Sequence, residues 1–198
     1  RFKHEGATVT LARDGRVVVY MGDDERFEYV YKFVSHDRYR AGNPGNARLL
    51  DTGTLYVARF DDDGKGRWLP LRHGEKYPNG ALTADNGFTS QGEVVIRCRQ
   101  AADLAGATKM DRPEWIAVHP ESGEVYVTLT NNNRRGTNAP SVNLPDGSTA
   151  GGSARPPVDA ANPREDNVHG HIIRWRESGK SVLATTFAWD LFVQAGDT

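Results

Sequence analysis

The chain has 198 residues, 37% hydrophobic and 26% charged, enough for one or two ordinary domains with a modest core. Its net charge of −1, with neither half clearly basic, argues against a nucleic-acid binder, and the single Cys98 excludes an intrachain disulfide or a cysteine-based zinc site. No run approaches the roughly 18–20 apolar residues of a bilayer-spanning helix. No signal peptide precedes the first strand, and the chain opens on Arg1 and stops at Thr198 just past an apolar run, so both ends read as cut from a longer chain.

The predicted elements are mostly strands. Thr8 to Ala12 alternates, Arg13-Asp14-Gly15 signals a turn, and Arg16 to Tyr20 is β-branched and aromatic. Gly22-Asp23-Asp24-Glu25 breaks that run before the strand Glu28 to Val34, which a polar loop from Ser35 to Arg48 follows. Leu55 to Phe60 and Arg67 to Leu71 form a hairpin around Asp61-Asp62-Asp63-Gly64-Lys65-Gly66, with Gly64 or Gly66 taking a positive φ. From Ser90 to Leu104 apolar residues recur near a 3.6 period, with Ser90 and Glu93 spaced as a capping box, so one helix is expected there. Strands resume at Trp115 to Val118 and Glu124 to Thr130. A polar stretch rich in Gly, Pro and Asn occupies 131–164, and strands at His171 to Arg176 and Thr185 to Val193 close the chain.

Tyr29 to Phe33, Tyr56 to Phe60 and His171 to Trp175 share one order of ring, aliphatic, apolar, basic and aromatic residues. With short strands and regular turns, that echo suggests blades of a β-propeller, although any amphipathic strand can produce such a pattern and a sandwich is the alternative. The fold class expected is therefore mainly β: residues 1–198 as one partial propeller domain with an inserted helix and a loop insertion at 131–164. About three blades' worth of strands is too few to close a ring.

No Gly-x-Ser-x-Gly elbow or phosphate-binding P-loop is present. His169 and His171 fall on one face of a strand, where a metal pair and a polar strand start are both open readings. The acidic residues are more suggestive: Glu5 before the first strand, Asp23 and Asp24 in a tight turn, Glu114 at a strand start, and Asp190 inside an apolar run. Carboxylates converging from strand ends suit hard cations such as calcium or ferric iron, while each alone fits a solvated turn or an ion pair. Pro113 biases Arg112 toward extended geometry, which would put the Arg112 and Glu114 side chains on one face. A guanidinium there matches two phosphate oxygens, and a structural ion pair is the alternative. The triple-aspartate loop fails as an EF-hand because Arg72 stands where its twelfth-position glutamate would be.

The phrases RFKHEGATV, DGRVVVYMGDDERFEYVYKFV, GTLYVARFDDDGKGRWLPL, GATKMDRPEWIAVHP, GEVYVTLTNN, AANPR, GHIIRWRE and FAWDLFVQAGD, in this order, resemble the PhoX-type alkaline phosphatases along nearly the whole chain. The resemblance implies a β-propeller enzyme, exported through the twin-arginine route to the periplasm or medium. Such an enzyme hydrolyses phosphomonoesters with ferric iron and calcium, as a monomer without a membrane span or nucleic-acid partner. It implies metal-ligand roles for Glu5, Glu114 and Asp190, a catalytic phosphate contact for Arg112, and substrate contact for Arg112 and Trp189. Asp23 and Asp24 are candidate calcium ligands only. The iron-binding cysteine of the family lies in a part absent here, and that role does not pass to Cys98; this piece alone is expected to be inactive. The GHIIRW phrase is preceded by Asn167-Val168-His169 in place of the usual Asn-Pro-Tyr. A calcium-binding propeller segment without activity, and a calcium-dependent propeller esterase or lactonase, stay open beside the phosphatase.

Overall fold

The computed structural model describes residues 2–136 and 156–196. Alternating apolar residues and glycine turns make the first half an antiparallel meander of β1 (His4–Leu11), β2 (Arg16–Asp23), β3 (Val30–Arg38), β4 (Gly53–Phe60) and β5 (Lys65–Pro70). In the β4–β5 hairpin it is Gly64 that takes the positive φ, +78°. Gly66 instead lies against Phe187, where a Cβ would fall 2.1 Å from the ring. A small separate hairpin, β6 (Lys76–Tyr77) and β7 (Gly80–Ala81), leads to two helices. A second meander follows, of β8 (Pro113–Val118), β9 (Val125–Leu129), β10 (His171–Glu177) and β11 (Thr186–Gln194).

β11 pairs with β5, which fuses the two meanders into one nine-stranded sheet ordered β1-β2-β3-β4-β5-β11-β10-β9-β8. The sheet curls until its edges nearly meet. Thr8 on β1 donates its hydroxyl to the Ile116 carbonyl on β8, Arg26 bridges Asp111, and Phe27 N–H donates to the Met110 carbonyl at 2.8 Å. Mainly β is thus what forms. Separate blades are not seen among the described residues, and the repeated motif does not mark equivalent positions. Tyr29 and Tyr31 pack outside the sheet and Lys32 points in, whereas Phe60 and Trp175 point in.

The interior is an aromatic core. Tyr20, Phe60, Trp68, Trp175 and Phe187 pack at centroid distances of 5.2–6.4 Å, each burial worth about 1.5–3 kcal/mol. Lys32 and Glu177 face each other there at 3.2 Å, both nearly fully buried. Tyr20 Oη donates to Glu177 at 2.6 Å, and the Trp68 indole donates at 3.1 Å.

A second apolar cluster lies between the outer sheet face and the helices α1 (Gln91–Ile96) and α2 (Cys98–Ala105). The expected single helix is thus two. Ser90 caps α1 by accepting from Glu93 N–H, but Arg97 leaves helical geometry at φ −105°, ψ 36°. Its guanidinium reaches back to the Gly87 carbonyl and lies over the Phe88 ring, which draws the backbone off the helix path. Residues 137–155 of the expected 131–164 insertion lie outside the described residues. Its two described ends are not solvated loop: Asn132, Arg135 and Asn162 are wholly buried.

Candidate active site

At the end of the sheet where β2 stops and β8 begins, three charged side chains meet. Arg112 donates from Nη2 to Asp24 Oδ2 at 3.1 Å and from Nη1 to Asn131 Oδ1 at 3.0 Å. Glu114 Oε1 lies 3.4 Å from Nη2 and accepts from the Thr130 hydroxyl at 2.7 Å. Gly22 makes the meeting possible, because a Cβ there would stand 2.6 Å from the Glu114 carbonyl oxygen. With only hydrogen at Cα, β2 passes against β8 and delivers Asp23-Asp24 to Arg112.

Arg112 is not extended, as Pro113 alone would favour, but left-handed at φ +44°. For a non-glycine residue this costs about 1–3 kcal/mol and persists only where the surroundings over-determine it. They do so through Asp111, which is fully buried. Its Oδ1 accepts from Arg135 Nε at 2.6 Å and Asn132 Nδ2 at 2.8 Å, its Oδ2 from Asn167 Nδ2 at 3.1 Å, and its backbone N–H donates to Asn162 Oδ1 at 3.0 Å. Arg135, also fully buried, donates further to the Lys109 and Pro157 carbonyls. With Asp111 fixed on one side and β8 starting on the other, Arg112 turns between them and aims its guanidinium at Asp24. Sequence reasoning missed this network, having read residues beyond 131 as a polar loop. Asp111 itself was in view in the sequence, but its partners lie 21 to 56 residues away and leave no local signal.

Asp23 and Asp24 part company. Asp23 is fully buried and both its oxygens are taken, by Arg99 at 2.7 and 2.6 Å and by Lys3 N–H at 2.8 Å, so its candidacy as a calcium ligand gives way to a structural clamp. Asp24 Oδ1 stands 3.0 Å from Arg112 Nη2 but out of line, and is buried without a hydrogen bond. That orphaned oxygen, with Glu114 beside it, offers hard donors of the kind calcium or ferric iron takes. Glu5 is exposed on β1, one residue from His4, which pairs with Asp23. Among the described residues, no three carboxylates, histidines or cysteines stand close enough to hold a metal by themselves.

Asp190 does not join them. It sits mid-strand, level with Ala117 across three strand pairings, which puts it about 15–20 Å from Glu114. Arg174 grips its carboxylate with two bonds, at 3.0 and 2.5 Å, and holds it below the usual carboxylate range. The costly charge in an apolar run is thus balanced by an ion pair. Trp189 also stands apart from Arg112 and Glu114: its ring packs edge-on to Phe60 in the core. Its indole N–H is shared between the Asp61 and Lys65 carbonyls. Of the histidine pair, His171 is buried with Nε2 2.8 Å from the Ala161 carbonyl oxygen and Nδ1 3.3 Å from Asn167, a satisfied core residue.

The sequence matches the family described as alkaline phosphatase PhoX over residues 1–198. No curated protein matches it. Among solved structures it is similar to Pseudomonas fluorescens PhoX in complex with vanadate, a transition state analogue, at 50% identity and a TM-score of 0.84. The match covers 99% of this chain and 32% of that one, so the chain spans about a third of the relative's length. Matched from end to end, and half identical to a solved member, the chain belongs to the PhoX alkaline phosphatase family.

Proposed function

We propose that this chain supplies the phosphate grip and part of the metal-ligand set of an exported, periplasmic or secreted, phosphomonoesterase. The carrying observation is Arg112, held left-handed over a buried ion pair with its guanidinium between Asp24 and Glu114. A guanidinium has five N–H donors, and the two bonds to Asp24 and Asn131 leave three for an oxyanion. Its planar fork matches two equatorial oxygens of a phosphoryl group in transfer, the geometry that vanadate imitates in the Pseudomonas fluorescens relative.

Glu114 and Asp24, with Glu5 on the neighbouring strand, would hold calcium and iron together with ligands from the rest of the protein. Such cations, when bound, neutralise the phosphate and lower the barrier to attack on phosphorus. Arg112 would stabilise charge on the oxygens; Asp24 and Asn131 fix its plane. Thr130, bonded to Oε1, orients the Glu114 carboxylate. The meanders β2–β5 and β8–β11, four antiparallel strands each, fit two blades of a larger propeller that the remaining length would complete.

The test compares Arg112→Lys with Glu114→Gln in the whole protein, measuring p-nitrophenyl phosphate turnover and bound iron and calcium. Arg112→Lys keeps the charge but loses the fork, so turnover falls by about two to three orders of magnitude with metal content unchanged. Glu114→Gln loses metal and activity together. Normal turnover in Arg112→Lys would make this arginine structural and end the proposal.

A further inference from the structure

Seventeen arginines lie among the described residues. Nine of them meet a carboxylate within 4.0 Å. Arg38 and Arg72 do not, and both line one open cleft of about 700 Å³ at the opposite end of β2–β4 from Arg112. Arg16, at this cleft, and Asp23, at the candidate active site, are the two ends of the eight-residue β2, about 23 Å apart along a strand. Arg72 has Thr54 Oγ1 at 3.1 Å, a neutral partner.

Arg16 completes the set, and its position is unusual. It is the direct cross-strand partner of Arg38, and like charges placed opposite each other on a sheet destabilise it. Asp14 answers part of this: its Oδ2 lies 2.9 Å from Arg16 Nε, and its Oδ1 accepts the Arg16 N–H. One carboxylate thus faces three guanidiniums. The forks of Arg16 and Arg38 rise from rigid strands, so little order is lost when they close on a ligand. A volume of about 700 Å³ exceeds what a lone phosphate fills and suits a small organic anion.

We infer that this cleft is a second anion site, separate from Arg112, which binds a free diphosphate or a multiply phosphorylated small molecule through Arg38, Arg72 and Arg16. The ligand's charge replaces the missing carboxylates and relieves the Arg16–Arg38 repulsion. It needs no metal and does not depend on the reading of Arg112.

Methylenediphosphonate is the probe, because its P–C–P bridge is not hydrolysed. Calorimetry is run on the whole protein carrying Arg112→Ala, which disables the candidate catalytic grip, with and without Arg38→Gln and Arg72→Gln. The Arg112→Ala protein binds the probe, more weakly as salt rises, and the two further changes weaken binding about tenfold or more. Without ligand, the Arg38→Gln/Arg72→Gln protein melts no lower than its parent, since a repulsive pair has been removed. Equal affinity in both proteins, or no binding in the parent, would refute the site. A melting point several degrees lower without ligand would also count against it, by showing that these arginines are structural.

Discussion

Replacing Arg135 by methionine tests whether a buried ion pair carries the backbone of Arg112. Arg135 and Asp111 are both wholly buried and 2.6 Å apart. Arg135→Met would leave the Asp111 carboxylate with only the Asn132 and Asn167 amides, the Lys109 carbonyl with only the Asn162 amide, and the Pro157 carbonyl without the donor it has now. Stranding one partner of such a pair costs about 3–5 kcal/mol. Asp111→Asn leaves the guanidinium with Asp159, 3.6 Å from Nη1, as its remaining carboxylate and costs somewhat less, while the double variant leaves neither an Asp111 nor an Arg135 charge behind. The double loss should therefore fall short of the sum by about 2 kcal/mol or more, a coupling read from urea unfolding midpoints of all four proteins. Turnover on p-nitrophenyl phosphate, corrected for the folded fraction, should fall in both single variants because Arg112 relaxes from its left-handed turn. Additive stabilities within about 0.5 kcal/mol would show that the pair is not coupled. Unchanged corrected turnover would show that Asp111 does not position Arg112.

Gly22→Ala should destabilise the fold by about 1–3 kcal/mol and depress turnover, because its Cβ would stand 2.6–2.7 Å from the Glu114 and Pro113 carbonyl oxygens, backbone atoms that cannot step aside. A wild-type melting point and turnover would show that β2 and β8 do not need this contact. Burial is the leading influence on Lys32 and lowers its pKa to about 8, against the smaller pull of Glu177. The unfolded lysine holds its proton up to about 10.5, so unfolding takes up a proton between these values and stability rises with pH across that window. In Lys32→Met that rise disappears and stability drops by about 3–5 kcal/mol. Adding Glu177→Gln brings it back to within about 1 kcal/mol of wild type, as unfolding curves at pH 7 and 10 would register.

The strands were legible because each carries its own alternation and its own turn. Thr8 to Ala12, Arg16 to Tyr20 and Leu55 to Phe60 all fall within or next to observed strands, and Ser90 does cap a helix. What joins the strands was not legible. Closure of the sheet rests on β5 meeting β11, residues 65–67 against 186–188, and on Thr8 meeting Ile116. Contacts of that separation leave no local period. The repeated ring-to-aromatic motif misled for the same reason: period two fixes that alternate residues share a face, but not which face is inside. Lys32 points inward because Glu177, far along the chain, is there to meet it.

The site divides along the same line. Arg112 and Glu114 could be picked out because a guanidinium and a carboxylate two apart around a proline are chemically specific. Asp24 entered the list only as a companion of Asp23, and nothing local ranks one above the other. Their separation is tertiary: Arg99, on α2, claims Asp23 from the helix side and leaves Asp24 to face β8. The conformation of Arg112 was the least accessible feature, since the one local rule that applied, the bias before proline toward extended backbone, pointed the other way. That bias, like the left-handed strain, is worth at most a few kcal/mol. Against it stand four hydrogen bonds on Asp111, from residues 21 to 56 positions away, made where water cannot compete. Buried and charge-assisted, such bonds contribute more each than a surface bond, so the network outweighs the local preference and turns the guanidinium toward Asp24. A departure from local preference at this one residue is therefore what separates the proposed grip on phosphate from an ordinary strand start.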